Sequence, residues 1–202
     1  MNVLSLAGSL FTGFLALTGL TGCEDSRDSE LAALKASCEQ HNGDSCSDLS
    51  DIYTRGTKDT PPDTDLALTY ALKGCEYDSG RSCASLGILH AQGSDTMPKD
   101  FLKARDYFEK ACSLNYLLGC DYLGFQYLKG DGVPQDYLKA AAFFEKACSL
   151  GEGQGCYNLA SMYQKGVLAS NKGKAVFLAR LACELDSEPG CKLYRDLSGL
   201  EQ

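Results

Sequence analysis

Positive charge is scarce in this sequence. Across 202 residues, 19 Lys and Arg stand against 27 Asp and Glu, giving a formal net charge of −8 and an isoelectric point near 4.8. No Lys/Arg cluster is available to displace counterions from phosphates, which excludes a backbone-tracking nucleic-acid binder and leaves a solvated acidic surface. Histidine occurs only as His41 and His90, and neither falls in a His-Glu-x-x-His motif. Ser-x-x-Lys, Lys-Thr-Gly and Gly-x-Ser-x-Gly are also missing, so the sequence assigns no catalytic residue. The carboxylate pairs Glu24/Asp25 and Asp63/Asp65 sit in a polar leader and a helix cap, where acid–base work has no geometric support. Gly130 and Gly132 are not followed by Lys-Ser/Thr, so they make no phosphate cradle. No cofactor and no metal are called for. Disorder is excluded as well, since 44 % of the residues are apolar and 23 % charged.

Charge is absent altogether from residues 1–22, which are rich in Leu, Phe, Ala and Gly and end in Leu20-Thr21-Gly22-Cys23. This ending resembles the lipobox of bacterial lipoproteins, in which the cysteine is acylated and everything before it removed. Residues 1–22 are then an export signal, Cys23 the lipidated N-terminus, residues 23–30 a polar tether, and residues 31–200 the folded domain. Met1-Asn2-Val3 lacks the Lys or Arg that opens most export signals. The competing reading is an uncleaved anchor, because roughly 20 apolar residues cross a bilayer. The interspersed Gly, Ser and Thr make a poor permanent span. Both readings place the domain outside the cytoplasm, in the periplasm or cell envelope as a lipoprotein, or secreted where Cys23 carries no lipid.

Ten further cysteines fall into five pairs, each enclosing seven residues: Cys38/Cys46, Cys75/Cys83, Cys112/Cys120, Cys148/Cys156 and Cys183/Cys191. Their first members are 37, 37, 36 and 35 residues apart, the size of a helix-turn-helix solenoid unit. Three residues after each second cysteine stand Leu49, Leu86, Leu123 and Leu159; four after, Ser50, Gly87, Gly124 and Ala160; seven after, Tyr53, His90, Tyr127 and Tyr163. Offsets of zero, three, four and seven trace one helical face. Gly56, Gly93, Gly130 and Gly166 follow at offset ten, where a left-handed residue ends a helix. This is helix A. Helix B is defined by the N-cap column Asp63, Asp100, Asp136 and Asn171, and by Ala67, Ala104, Ala140 and Ala175 four residues on. It carries Tyr70, Tyr107, Phe108, Phe143 and Phe144 on its apolar face and ends on the next first cysteine.

Gly119-Cys120-Asp121-Tyr122-Leu123-Gly124, Tyr127, Gly130-Asp131-Gly132-Val133, Asp136 and Lys139-Ala140 through Ala147-Cys148 resemble a Sel1-like repeat. The cysteine pair at each joint is similar to the cysteine-rich Hcp family of exported bacterial proteins. The resemblance covers roughly residues 28–200. It implies an all-α fold, a right-handed α/α solenoid related to tetratricopeptide arrays, with about four repeats plus capping helices. The outer units depart from the pattern: the loop from Gly56 to Pro62 lacks Gly-x-Gly-Val, and the last unit replaces the leucine column with Leu193-Tyr194. Some members of the resembling family are named β-lactamases or penicillin binders, so weak β-lactam hydrolysis or binding is the alternative function the resemblance carries.

Pairing each cysteine couple as a disulfide would clamp the end of helix B to the start of the next helix A. Zinc is the competing reading, but zinc sites favour two to four residues between ligands and often recruit His. A gap of seven in an oxidising compartment favours disulfides. His90, standing in a tyrosine column, reads as a packed residue. The expected ligand surface is the concave row of A helices, whose positions off the core face supply Asp51, Ile88, Tyr122, Phe125, Tyr157, Asn158 and Ser161. Binding residues are expected at Ile88, Tyr122, Phe125, Tyr157 and Asn158, for a protein, a peptide or a cell-wall fragment. The sequence assigns no oligomeric state.

Overall fold

The computed structural model describes residues 24–93 and 98–199. Among the described residues there are ten helices and no strand: α1 (Glu24–Glu39), α2 (Gly43–Arg55), α3 (Thr64–Glu76), α4 (Gly80–Gln92), α5 (Phe101–Ser113), α6 (Leu117–Lys129), α7 (Tyr137–Ser149), α8 (Gly153–Gln164), α9 (Lys172–Glu184) and α10 (Glu188–Ser198). The even-numbered helices are the A helices; α3, α5, α7 and α9 are the B helices. Each helix packs on its chain neighbours, and A helices also meet across repeats, α2 on α4, α4 on α6 and α8 on α10. The fold is an α/α solenoid. Residues 24–30, read from composition as part of a tether, are the opening turns of α1. Cys23 and the apolar segment 1–22 lie outside the described residues. Among the described residues, no helix is long and apolar enough to cross a membrane.

Every B helix opens on the expected cap. Asp63 accepts from Leu66 N at 2.9 Å, Asp100 from Lys103 N at 2.9 Å, Asp136 from Leu138 N and Lys139 N at 3.0 Å each, and Asn171 from Lys174 N at 2.9 Å. Three of these cap residues also tie the loop before them back to the preceding A helix, Asp63 N donating to Tyr53 O, Asp100 N to His90 O and Asp136 N to Tyr127 O. The offset-ten glycines all have positive φ, and Gly130 is left-handed helical, at φ 82°, ψ 25°. Gly56 and Gly93 have extended ψ values of 168° and −179°. Helix α8 ends one residue earlier, with Lys165 as its C-cap and Gly166 beyond.

The joints between repeats hold a feature that no single residue type marks. Helix α1 and each B helix end where His41, Asp78, Asn115, Gly151 or Asp186 takes positive φ, and the next residue donates back into the helix: Asn42 N to Ser37 O, Ser79 N to Gly74 O, Tyr116 N to Ala111 O, Glu152 N to Ala147 O, and Ser187 N to Ala182 O. This is a Schellman ending. Asn42, Ser79, Tyr116, Glu152 and Ser187 then serve as N-caps of the following A helices, so one residue ends one helix and begins the next. Each joint is crossed by a disulfide, Cys38–Cys46, Cys75–Cys83, Cys112–Cys120, Cys148–Cys156 or Cys183–Cys191, with Cα–Cα distances from 4.3 to 4.9 Å.

The core runs along the stack as a chain of clusters. Leu49, Leu86, Leu123 and Leu159 are at most 2 % exposed, and Ala67, Ala104, Ala140 and Ala175 are buried beside them. Glycine in the offset-four column is required by contact. A Cβ on Gly87 would lie 2.5 Å from the Phe108 ring, and one on Gly124 the same distance from Phe144. The offset-seven column meets the B helix through stacked rings, Tyr53 on Tyr70 at 5.5 Å, His90 on Tyr107 at 5.4 Å and Tyr127 on Phe143 at 5.5 Å. His90 thus occupies the stacking position of its column.

Candidate functional site: the row of A helices

The residues expected to bind lie on the A row at different depths. Ile88 and Tyr122 are half-buried against the cluster around Phe108 and Leu123, and Tyr122 stacks on Phe108 at 4.9 Å. Phe125 and Tyr157 are half-buried against the next cluster, Phe125 meeting Phe144 edge-on at 5.3 Å while Lys129 Nζ sits 5.7 Å from its ring centre. Asp51 and Ser161 are half-exposed. Asn158 is 8 % exposed, and its Nδ2 donates to Asp121 Oδ1 on the neighbouring A helix at 3.0 Å. The four hydrophobic and aromatic side chains therefore show one edge to solvent and anchor the other in the core. Large apolar side chains that stand further out are on B helices, Leu102 at 56 %, Leu138 at 76 % and Phe177 at 55 % exposed.

Of the polar groups between repeats, sequence reasoning singled out Asp51 and Asn158 but not their partners Arg81 and Asp121. At the first junction, Arg81 of α4 reaches back to α2, donating to Asp48, to Asp51 Oδ2 at 3.5 Å and to the Asp44 carbonyl at 3.3 Å. Beneath it Ser47, Ser79 and Ser82 form a buried hydroxyl cluster, and Ser79 Oγ donates to Asp44 Oδ1 at 3.0 Å. Burial opposes the Arg81 charge, but the bond to Asp48 and the nearby Asp51 and Asp44 outweigh it and hold the guanidinium protonated. A cleft of about 500 Å³ opens beside this clamp, lined by Asp44, Asp78, Arg81, Leu114, Asn115 and Tyr116. Burial pushes the Tyr116 phenol up; Arg81 counters this, while Asp51 and Glu152 add to it.

At the later junction Asp121 of α6 is 6 % exposed. Asn158 is the donor on its carboxylate, and Gln154 Nε2 donates to Asn158 Oδ1 at 3.1 Å. Burial pushes the carboxyl up to about 6; the Asn158 bond eases the shift, and Glu152 reinforces it. The signal that could have found Asp121 is its column: one residue after the second cysteine stand Ser47, Ala84 and Tyr157 in the other repeats.

The histidines are engaged with tyrosines, His41 against Tyr77 at 4.4 Å and His90 against Tyr107. Among the described residues no hydrogen bond joins either histidine to a serine, and no group of three or more His, Cys, Asp or Glu is arranged to hold a metal.

The sequence profile of the Sel1 repeat matches four consecutive segments, residues 43–76, 80–116, 117–152 and 153–187. The chain belongs to the Sel1 repeat family. Each Sel1 segment is one A helix with the B helix that follows, so the Cys75–Cys83, Cys112–Cys120 and Cys148–Cys156 bridges join successive repeats. Helices α1 and α10 flank the four. Sel1 repeats generally mediate protein–protein interaction. Among solved structures, a Sel1 repeat protein from Oxalobacter formigenes superposes with a TM-score of 0.70 at 18 % identity, covering 78 % of this chain and 62 % of that one. The protein c5321, a protective antigen of uropathogenic Escherichia coli with this repeat fold, gives a TM-score of 0.73 at 24 % identity, covering 85 % and 37 %. Those two likenesses show the fold, and the chain spans less than two thirds of either protein. Helicobacter pylori cysteine rich protein B is 33 % identical, with a TM-score of 0.51, and 66 % of this chain covers 93 % of it. No curated protein matches. The disulfides of this Sel1 repeat protein fit an oxidising, exported location.

Proposed function

We propose that this chain is an exported, envelope-held Sel1 repeat scaffold that captures a protein segment along its row of A helices. The observation that carries the reading is the row itself. Its half-exposed rings at Tyr122, Phe125 and Tyr157 are each fixed from behind by core packing, and every turn between repeats is closed by a disulfide. A surface held this way loses little conformational freedom when a partner docks. The exposed apolar residues of the B helices, such as Leu102, Leu138 and Phe177, stand at helix starts and outer faces.

Site-specific photo-crosslinkers test the surface. Placed at Ser85 and Ser161 of the A row in the producing cell, they are expected to yield a discrete protein adduct, while crosslinkers at Leu102 and Leu138 yield none. Adducts from the B positions alone would overturn the reading. A muramidase-sensitive adduct would assign the row to cell-wall fragments instead. Envelope attachment is tested by detergent phase partitioning: the wild type is expected in the detergent phase and Cys23→Ser in the aqueous phase, and equal partitioning would remove the lipid anchor.

A further inference from the structure

The five bridges are not equally covered. The cysteines of the first four are all buried, none more than 8 % exposed, whereas Cys183 and Cys191 are both half-buried. Position in the stack accounts for the difference. The Cys75–Cys83, Cys112–Cys120 and Cys148–Cys156 joints each have a repeat on either side. At the N-terminal end, Cys38 and Cys46 are 0 % exposed in a cluster with Leu49 and Tyr53, on which Leu31 and Leu34 of α1 pack. The Cys183–Cys191 joint ties α9 to α10, the last described helix.

Helix α10 is held by few contacts. It packs on α9 and α8, and its buried residues are Gly190 and Leu193. Gly190 lies so close to α9 that an added Cβ would stand 2.4 Å from the Ala182 Cβ, and Leu193 enters the cluster of Met162 and Leu178. The joint adds the bond from Ser187 N to Ala182 O at 2.9 Å and the cap from Gly190 N to Ser187 Oγ at 3.3 Å. With 11 residues, α10 is too short to persist as a helix without its packing. A terminal element so held opens more readily than the helices inside the stack. Thiol–disulfide exchange depends on access to the sulfur, and this bridge combines partial exposure with the least-held helix.

We propose that Cys183–Cys191 is a redox-sensitive latch, opened by a dithiol reductant while the other four bridges stay closed, and that its opening frees α10 from the end of the stack. A thiolate of the reductant attacks one bridge sulfur, forming a mixed disulfide and expelling the other cysteine as a thiolate. The second thiol of the reductant, deprotonated, then displaces the bound cysteine and closes a disulfide within the reductant. Two electrons pass from the dithiol to the bridge, and the two cysteine thiolates take up the two protons the dithiol has lost. Once free, α10 withdraws Leu193 from Met162 and Leu178 and shortens the A row by its last helix. The latch stands whether or not that row is the docking surface.

The protein as processed by the producing cell is treated with limiting dithiothreitol under native conditions, trapped at intervals with N-ethylmaleimide and mapped by peptide mass spectrometry. Cys183 and Cys191 are expected to be labelled together, about tenfold or more faster than any other pair. Another pair opening first, or all five opening at one rate, would overturn the proposal. Hydrogen exchange on wild type, at the stage where this pair alone is reduced, reads the release of the helix. Amides of α10 are expected to exchange about tenfold or more faster than in the oxidised protein, with those of α2 to α7 unchanged. The double variant Cys183→Ser, Cys191→Ser is expected to show the same pattern without reductant. Protection of α10 equal to that of the oxidised protein, in either sample, would remove the latch.

Discussion

A carboxylate that is 6 % exposed, with one amide as its donor, holds its proton more tightly in the folded chain than in the unfolded one. The folded value for Asp121 is about 6 against 3.8 for the free group. The native state therefore binds more protons between these values, and the stability from Asp121 is fully present below 3.8 and lost as pH rises through 6. The whole effect is about 3 kcal/mol, at 1.36 kcal/mol per unit of pKa. Asp121→Asn should match the wild type in urea midpoint near pH 4 and exceed it at pH 7.5; identical midpoints at both would contradict the burial of the charge. Gly124→Ala should destabilise by about 1–3 kcal/mol by pressing a methyl into the Phe144 ring, and the same denaturation series reads it. The glycine column was legible because close approach leaves a small-residue signature at fixed spacing. Asp121 was not, because a position read as off the core face is covered by the neighbouring A helix, which depends on the stacking of repeats.

At the scale of the helix the sequence was most informative where one chemistry recurs in one place. Carboxylate or amide caps at Asp63, Asp100, Asp136 and Asn171 located the start of every B helix. Asp136→Ala should cost about 1 kcal/mol, seen as a lower thermal midpoint, while Asp136→Ser should restore most of it. The left-handed joint column was hidden because His41, Asp78, Asn115, Gly151 and Asp186 share a backbone conformation and not a side chain. Asn and Asp enrichment in that conformation was the available signal. The cysteines flanking the joint were plain. Replacing Cys112 and Cys120 together by Ser should lower stability by about 2–3 kcal/mol in a chain-entropy estimate for so short a loop, measured against wild type without reductant. A further and larger loss on reducing the double variant would report the other four bridges.

Over the whole molecule, architecture was readable and surface chemistry only partly so. A period near 36 residues, with matching columns in each unit, requires neighbours to stack, and stacking produces the continuous row of A helices. The row was expected to present Ile88, Tyr122, Phe125, Tyr157 and Asn158. Its rings are half-buried, Asn158 is engaged with Asp121, and Arg81 clamps α4 to α2, so the same positions both join repeats and face outward. Single sequence positions cannot separate those roles, since a residue off its own core face can still be covered by the next repeat. Because Tyr122 and Phe125 support core rings, truncating them would confuse stability with binding. Bulk added at Ser85 and Ser161 avoids this. The most direct measurement is the affinity of the crosslinked partner, once purified, for variants carrying Ser85→Trp or Ser161→Trp against variants carrying Leu102→Trp or Leu138→Trp. Capture along the A helices predicts at least a tenfold loss for the first pair and none for the second; the opposite order would place the partner on the B helices and contradict it.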